Sequence, residues 1–103
     1  DILYHLAQSP LLWDNRIAIV STYAFIRKGQ LEDTYVLSDI MMHHPHDLMH
    51  KAIGWMLREA GKRDANRLYN YVMSHRADMP RTMLRYAIEK FSPAERSILM
   101  KRG

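Results

Sequence analysis

Lys51, Trp55, Arg58 and Lys62 recur at i, i+4, i+7 and i+11, the spacing that puts side chains on one stripe of a helix. Three cations around one indole make a surface for a polyanion, because phosphates attract the cations while bases or sugars pack on the aromatic face. The opposite face of the same helix carries Met49, Ile53, Met56, Leu57 and Ala60 and is the one expected to be buried. The competing reading of the stripe is a solvated helix face with one half-buried Trp.

Other chemistry is thinner. His43, His44, His46 and His50 invite a metal reading, since His46 and His50 stand at i, i+4, but no Cys and no positioned acidic third ligand accompany them. They read as a helix end and loop, and neither a metal nor a cofactor is implied. With no cysteine in the chain, disulfides, thiolate metal sites and thiol nucleophiles are excluded. Trp13 reads as packing, and Tyr4, Tyr23, Tyr69 and Tyr86 as core residues with a polar tip.

The 103 residues, 48% of them hydrophobic, are enough for a single domain with a real core. No apolar run approaches the roughly 18 to 20 residues of a membrane span, and the reading is of a soluble, cytoplasmic protein. The net charge of +4 is uneven. Residues 1–50 hold three Lys or Arg against six Asp or Glu, whereas residues 51–103 hold twelve against five. A basic second half points to a polyanionic partner, with nucleic acid first and an anionic membrane surface second. Asp1 opens in mid-pattern, and Ile2, Leu3 and Leu6 look like the end of a helix, so the chain reads as a fragment or a processed product.

The elements that must position these residues are about six helices. Leu12 to Lys28 is opened by Ser9 and Pro10 and closed by Gly29; its faces are nearly all apolar, so burial is expected. The Val20 to Tyr23 run, which resembles a strand, lies inside this longer helical pattern. A second helix spans 31 or 32 to 42 and stops at His43, His44 and Pro45. The third, about 48 to 60, takes Asp47 as N-cap and Gly61 as its stop. Asp64 caps a fourth to about His75, and Pro80 begins a fifth that runs to Phe91. Ser92, Pro93, Ala94 and Glu95 make a capping box for a sixth. Connections of about two to five residues imply antiparallel neighbours.

A weak repeat overlies this pattern. Arg16, Lys51 and Arg85 fall 35 and 34 residues apart, and Arg27 and Lys28 precede Lys62 and Arg63 by 35. A period near 35 residues with two helices marks an all-α right-handed solenoid of antiparallel, HEAT-like helix pairs, in which equivalent positions line one concave surface. Recurring cations then form a track along a duplex backbone.

Four stretches carry a resemblance: Leu12-Trp13-Asp14-Asn15-Arg16-Ile17-Ala18-Ile19-Val20-Ser21-Thr22, Phe25-Ile26-Arg27-Lys28-Gly29, His50-Lys51-Ala52-Ile53-Gly54-Trp55-Met56-Leu57-Arg58-Glu59, and Met79-Pro80-Arg81-Thr82-Met83-Leu84-Arg85-Tyr86-Ala87-Ile88-Glu89-Lys90-Phe91. In order and over nearly all of the chain, they resemble the AlkD-like DNA alkylation repair family. The resemblance implies a HEAT-like superhelix that holds duplex DNA in a basic concave groove and cleaves the N-glycosidic bond of N3- or N7-alkylated purines. It also implies that these residues form the C-terminal half of such a superhelix. The family's catalytic-site arginine, in L-W-x-x-R-x-A-I, falls on Arg16, and its aromatic partner, in K-A-x-G-W-x-L-R-E, falls on Trp55. The family's catalytic aspartate belongs to a W-D-x-V-D type segment upstream of the matched part. Neither Asp1 nor Asp14 takes that role.

An alkylated purine already carries positive charge, so its departure needs no general acid. The barrier lies in the oxocarbenium-like sugar, which a carboxylate near C1′ stabilises. Losing such a preorganised group costs about 10²- to 10³-fold in rate, so the chain by itself is expected to bind rather than react. The DNA-contact set is Arg16, Lys51, Trp55, Arg58, Lys62 and Arg85. Two alternatives stand beside it: Arg16 pairs with Asp14 or another carboxylate, and Arg81 and Arg85 pair with Glu89. The runner-up functions are a DNA-binding helical-repeat module without catalysis and a scaffold for an acidic protein. A solenoid face left uncovered also predicts self-association.

Overall fold

A computed structural model describes residues 2–101, and every regular element among them is a helix: α1 Ile2–Ala7, α2 Leu12–Arg27, α3 Glu32–Ile40, α4 Asp47–Arg63, α5 Ala65–His75, α6 Arg81–Ala87 and α7 Pro93–Leu99. The seventh, beyond the six expected, is the N-terminal stretch of Ile2, Leu3 and Leu6. Asp1 lies outside the described residues.

Every second helix is a neighbour. α2, α4 and α6 pack side by side, while α3 bridges α2 and α4 from behind and α5 backs α4; α1 meets α3, and α5 meets α7. The principal extents of 38 × 30 × 18 Å correspond to a slab two helices thick, given a helix diameter of about 10 Å. This alternation is consistent with helix pairs laid side by side.

α4 is the central element. Met49, Ile53, Gly54, Met56, Leu57 and Ala60 form its buried side, as the spacing predicts, and they join Ile19 and Ala18 of α2 and Met83, Leu84 and Ala87 of α6 in one core. Gly54 permits this approach: a Cβ there would stand 2.6 Å from the Met83 carbonyl oxygen and 2.7 Å from Tyr86 Cβ.

Several boundaries differ from those read in the sequence. Gly61 does not stop α4, which continues to Arg63; the glycine sits inside the helix, where Leu68 Cδ2 of α5 presses to 2.3 Å from an added Cβ. Asp47 is the first residue of α4 rather than its cap, and His46 holds the cap position without a side-chain bond. α3 ends at Ile40, two residues earlier than expected, and α6 at Ala87, about a turn earlier. Pro80 is the N-cap of α6 rather than its first residue, and Leu11 holds that place before α2 without a side-chain bond. Three signals hold: Gly29 takes φ +81 after α2, Asp64 accepts from the Arg67 N–H, and Ser92 and Glu95 form the capping box.

The larger correction concerns α2, which is not buried all round. Asn15, Ala18, Ile19, Thr22 and Ile26 face the core, while Trp13 is 68% exposed and Ile17, Val20 and Tyr23 about 40%. Trp13 is therefore not packing, and Tyr23 is not a core tyrosine. The apolar residues of α2 outnumber what one neighbouring layer covers.

Candidate functional site

The exposed sides of α2 and α4 face each other across an open groove of about 760 Å³. α4 contributes Lys51, Trp55, Arg58 and Lys62, with Leu48, Ala52, Met56 and Glu59 among them; α2 contributes Arg16, Val20 and Tyr23, and Tyr86 of α6 closes one side. Five of the six residues read as DNA contacts thus meet in one place. The sixth, Arg85, is exposed on α6 but does not line the groove.

Arg16 is exposed and makes no hydrogen bond or ion pair among the described residues. Asp14 accepts from the Ser9 hydroxyl at 2.8 Å instead, so the pairing of Arg16 with Asp14 does not form. Trp55 is 51% exposed. The three stripe cations are not equivalent. Lys51 stands 3.8 Å from Asp47, with both partners largely in water. Lys62 pairs with Glu59 at 3.0 Å. Arg58 is held by Glu89 at 2.9 Å, and its Cζ lies 5.4 Å from the centroid of the Trp55 ring. Glu89 therefore belongs to Arg58 and not to Arg81 or Arg85; Arg81 donates to the Met100 carbonyl.

The basic ends of α2 and α4 also come together, since Arg63 Nη2 donates to the Arg27 carbonyl. Glu59 is the single carboxylate lining the groove among the described residues, and its side chain is 13% exposed beneath Lys62. A carboxylate tied to cations does not stabilise a developing sugar cation as an unpaired one would.

The spacing of Arg16, Val20 and Tyr23, at i, i+4 and i+7 on α2, repeats that of Lys51, Trp55 and Arg58 on α4. That echo is the signal by which Val20 and Tyr23 were findable as groove residues. Tyr86 carried none, because its position depends on how α6 leans on α4.

The histidines have structural work. His44 Nδ1 accepts from the His46 N–H at 3.0 Å, which leaves Nε2–H to donate to Asn15 Oδ1 at 2.9 Å. Burial, followed by the charges of His46 and His50, lowers the His44 pKa from its ordinary value. Asn15 in turn spreads its amide N–H groups over the carbonyls of Leu6, Ala7 and Ser9, tying off the end of α1. No three His, Asp or Glu side chains gather to hold a metal ion among the described residues. No helix among them is long and apolar enough to cross a membrane.

On the far side, between α3 and α5, Tyr71 donates to Asp39 at 2.8 Å and stacks on His75 at 4.1 Å between centroids. Burial, then the bond to Asp39, raises the Tyr71 pKa, and burial pushes Tyr35 up to about 12.

A family model described as DNA alkylation repair enzyme matches residues 1–91, which takes in α1 to α6 and every groove residue. No curated protein and no solved structure matches the chain.

Proposed function

As the chain belongs to the DNA alkylation repair enzyme family, we propose that the groove between α2 and α4 binds duplex DNA at an alkylated purine and that the intact protein excises the base. The observation that carries this reading is the meeting of Arg16 and Trp55. They stand on different helices, and each lines the same groove, with the Arg16 guanidinium left unpartnered. An exposed, unpaired guanidinium is suited to bidentate contact with a phosphate. An indole about half exposed beside it packs on deoxyribose or backbone. Lys51 and Lys62, each held only by a solvent-facing ion pair or a neighbouring Glu, add phosphate contacts and a salt-dependent share of the affinity.

The proposed reaction is hydrolysis of the N-glycosidic bond at N3- or N7-alkylated purines. Water attacks C1′ and gives up a proton, while the C1′–N bond breaks with its electron pair passing to the cationic base, which leaves neutral. The groove residues of this chain hold the backbone and face the sugar. The carboxylate that stabilises the sugar cation is not among them, since Glu59 is engaged by Lys62 and lies beside Arg58. That engagement favours the second reading, a DNA-binding module without catalysis, for the chain acting alone.

The test uses duplex containing 7-methylguanine, incubated with this chain and with any longer parent, and measures free base and binding at two salt concentrations. Salt-dependent binding by both, with base release by the parent alone, is the expected result. Release by neither sinks the catalytic reading, and DNA binding that is unchanged by Arg16→Ala and Trp55→Ala sinks the proposed site.

A further inference from the structure

Arg58 differs from the cations on either side of it. Its side chain is 15% exposed, whereas those of Lys51 and Lys62 are 47% and 50% exposed. Its Nη1 meets Glu89 Oε2 at 2.9 Å, and its Nε lies 3.9 Å from Glu59 Oε2. Its Cζ lies 5.4 Å from the centroid of the Trp55 ring, within the range of attraction between a guanidinium and an aromatic face. With Nη1 on the Glu89 carboxylate and Nε buried without a hydrogen-bond partner, the guanidinium beside the indole has little accessible surface left for a phosphate.

The carboxylate that holds it is itself braced. Glu89 lies in the turn between α6 and α7, and Arg96 of α7 donates from Nη1 to the carbonyls of Glu89 and Phe91, at 3.2 and 3.1 Å. The capping box of Ser92 and Glu95 fixes the start of the helix that carries Arg96. A chain of contacts therefore runs from α7 through the turn and the Glu89 carboxylate to the guanidinium and the indole.

We infer that Arg58 is a positioning residue, locked by Glu89 of the α6–α7 turn, that sets the pose of the Trp55 indole in the groove and makes no phosphate contact. The part of this that concerns DNA rests on the reading of the groove given above; the lock itself does not. An indole on an exposed helix face would otherwise sample several rotamers, and each would present a different surface to the ligand. Fixing it before binding removes that ordering cost from the complex.

The experiment uses the 103-residue chain carrying Trp13→Phe, which leaves Trp55 as its one tryptophan. Acrylamide quenching and fluorescence anisotropy of Trp55 are compared in the parent, Arg58→Lys, Arg58→Ala and Glu89→Gln, without DNA. Duplex affinity is then measured over a range of salt. Quenching should rise and anisotropy fall in all three variants, with far-UV circular dichroism unchanged. Affinity should drop about three- to tenfold in Arg58→Lys, part of the worth of one aromatic contact. The slope of log affinity on log salt should stay at the parent value in Arg58→Ala and fall by about 1 in Lys62→Ala.

Glu89 is 54% exposed at its side chain, so Glu89→Gln keeps the fold and answers the question even if an Arg58 variant does not. Unaltered Trp55 quenching in Glu89→Gln and Arg58→Lys overturns the lock. Retained affinity in Arg58→Lys, with a slope reduced by about 1 in Arg58→Ala, makes Arg58 a phosphate contact and overturns the assignment. If the parent itself binds no duplex, the proposed function fails, and the fluorescence comparison still decides the lock.

Discussion

Arg16 and Tyr35 are opposite cases of a polar group without a partner. The guanidinium of Arg16 stands in water at the groove and costs nothing to leave unpaired, so Arg16→Ala should keep thermal stability within about 0.5 kcal/mol. The same change should lower the salt slope of duplex binding by about 1; a calorimetric scan and a salt titration check both halves. The Tyr35 hydroxyl is buried, with the residue 5% exposed and no hydrogen-bond partner. A stranded hydroxyl of this kind destabilises the fold, so Tyr35→Phe should raise the unfolding free energy by about 1 kcal/mol. Chemical denaturation reads it, and a loss of stability would show that the hydroxyl has a partner. Arg16 was legible in the sequence because a short motif surrounds it. The Tyr35 hydroxyl was not, since only the packing of α3 and α5 decides what a tyrosine tip meets.

At the scale of elements, α4 and its two glycines separate helix propensity from packing. Both glycines lie inside the helix, where alanine is intrinsically better by about 1 kcal/mol. At Gly54 an added methyl meets the Met83 main chain at 2.6 Å, and backbone cannot step aside without moving α6. At Gly61 the closest atom is the tip of the Leu68 side chain at 2.3 Å, which can change rotamer at smaller cost. Gly54→Ala should therefore destabilise by about 1–3 kcal/mol, the range for overpacking, while Gly61→Ala stays near neutral; urea denaturation of the pair gives the contrast. The helices themselves were largely legible, because caps and apolar spacing are local signals: Asp64, Ser92 and Gly29 end or begin helices as their types dictate. Gly61 misled for a physical reason. A glycine that permits close approach and a glycine that stops a helix look the same until the neighbour is known. The exposed side of α2 was hidden likewise, because an apolar residue reports its preference for burial and not whether a partner is there to cover it.

The whole molecule depends on contacts between elements distant in sequence, and the groove is one of them: the α4 wall was legible, the α2 wall only through Arg16, and their meeting was set by the packing of α2 on α4. A second such contact joins α1, α2 and the α3–α4 connection through Asn15 and His44. It works with neutral His44, because the His46 N–H occupies Nδ1, and a proton placed there would break that bond. The direction of the pH effect follows from the lowered pKa of His44 in the fold. The unfolded chain takes up a proton near pH 6.5, before the folded chain does, so acid draws the equilibrium toward unfolding. The stability contributed by this group is complete above about pH 6.5 and is lost as pH falls from there toward the lower folded value. Thermal unfolding measured from pH 7.5 to 5 should show a declining midpoint, and His44→Gln, which keeps a donor for Asn15 but cannot titrate, should flatten that decline. Because the end of α1 is held by Asn15, amide exchange at Ala7, Gln8 and Ser9 should quicken over the same interval in the parent and not in the variant. A parent and variant with parallel profiles would place the acid sensitivity elsewhere, and His44 would then be a hydrogen-bonding spacer whose charge state the fold ignores.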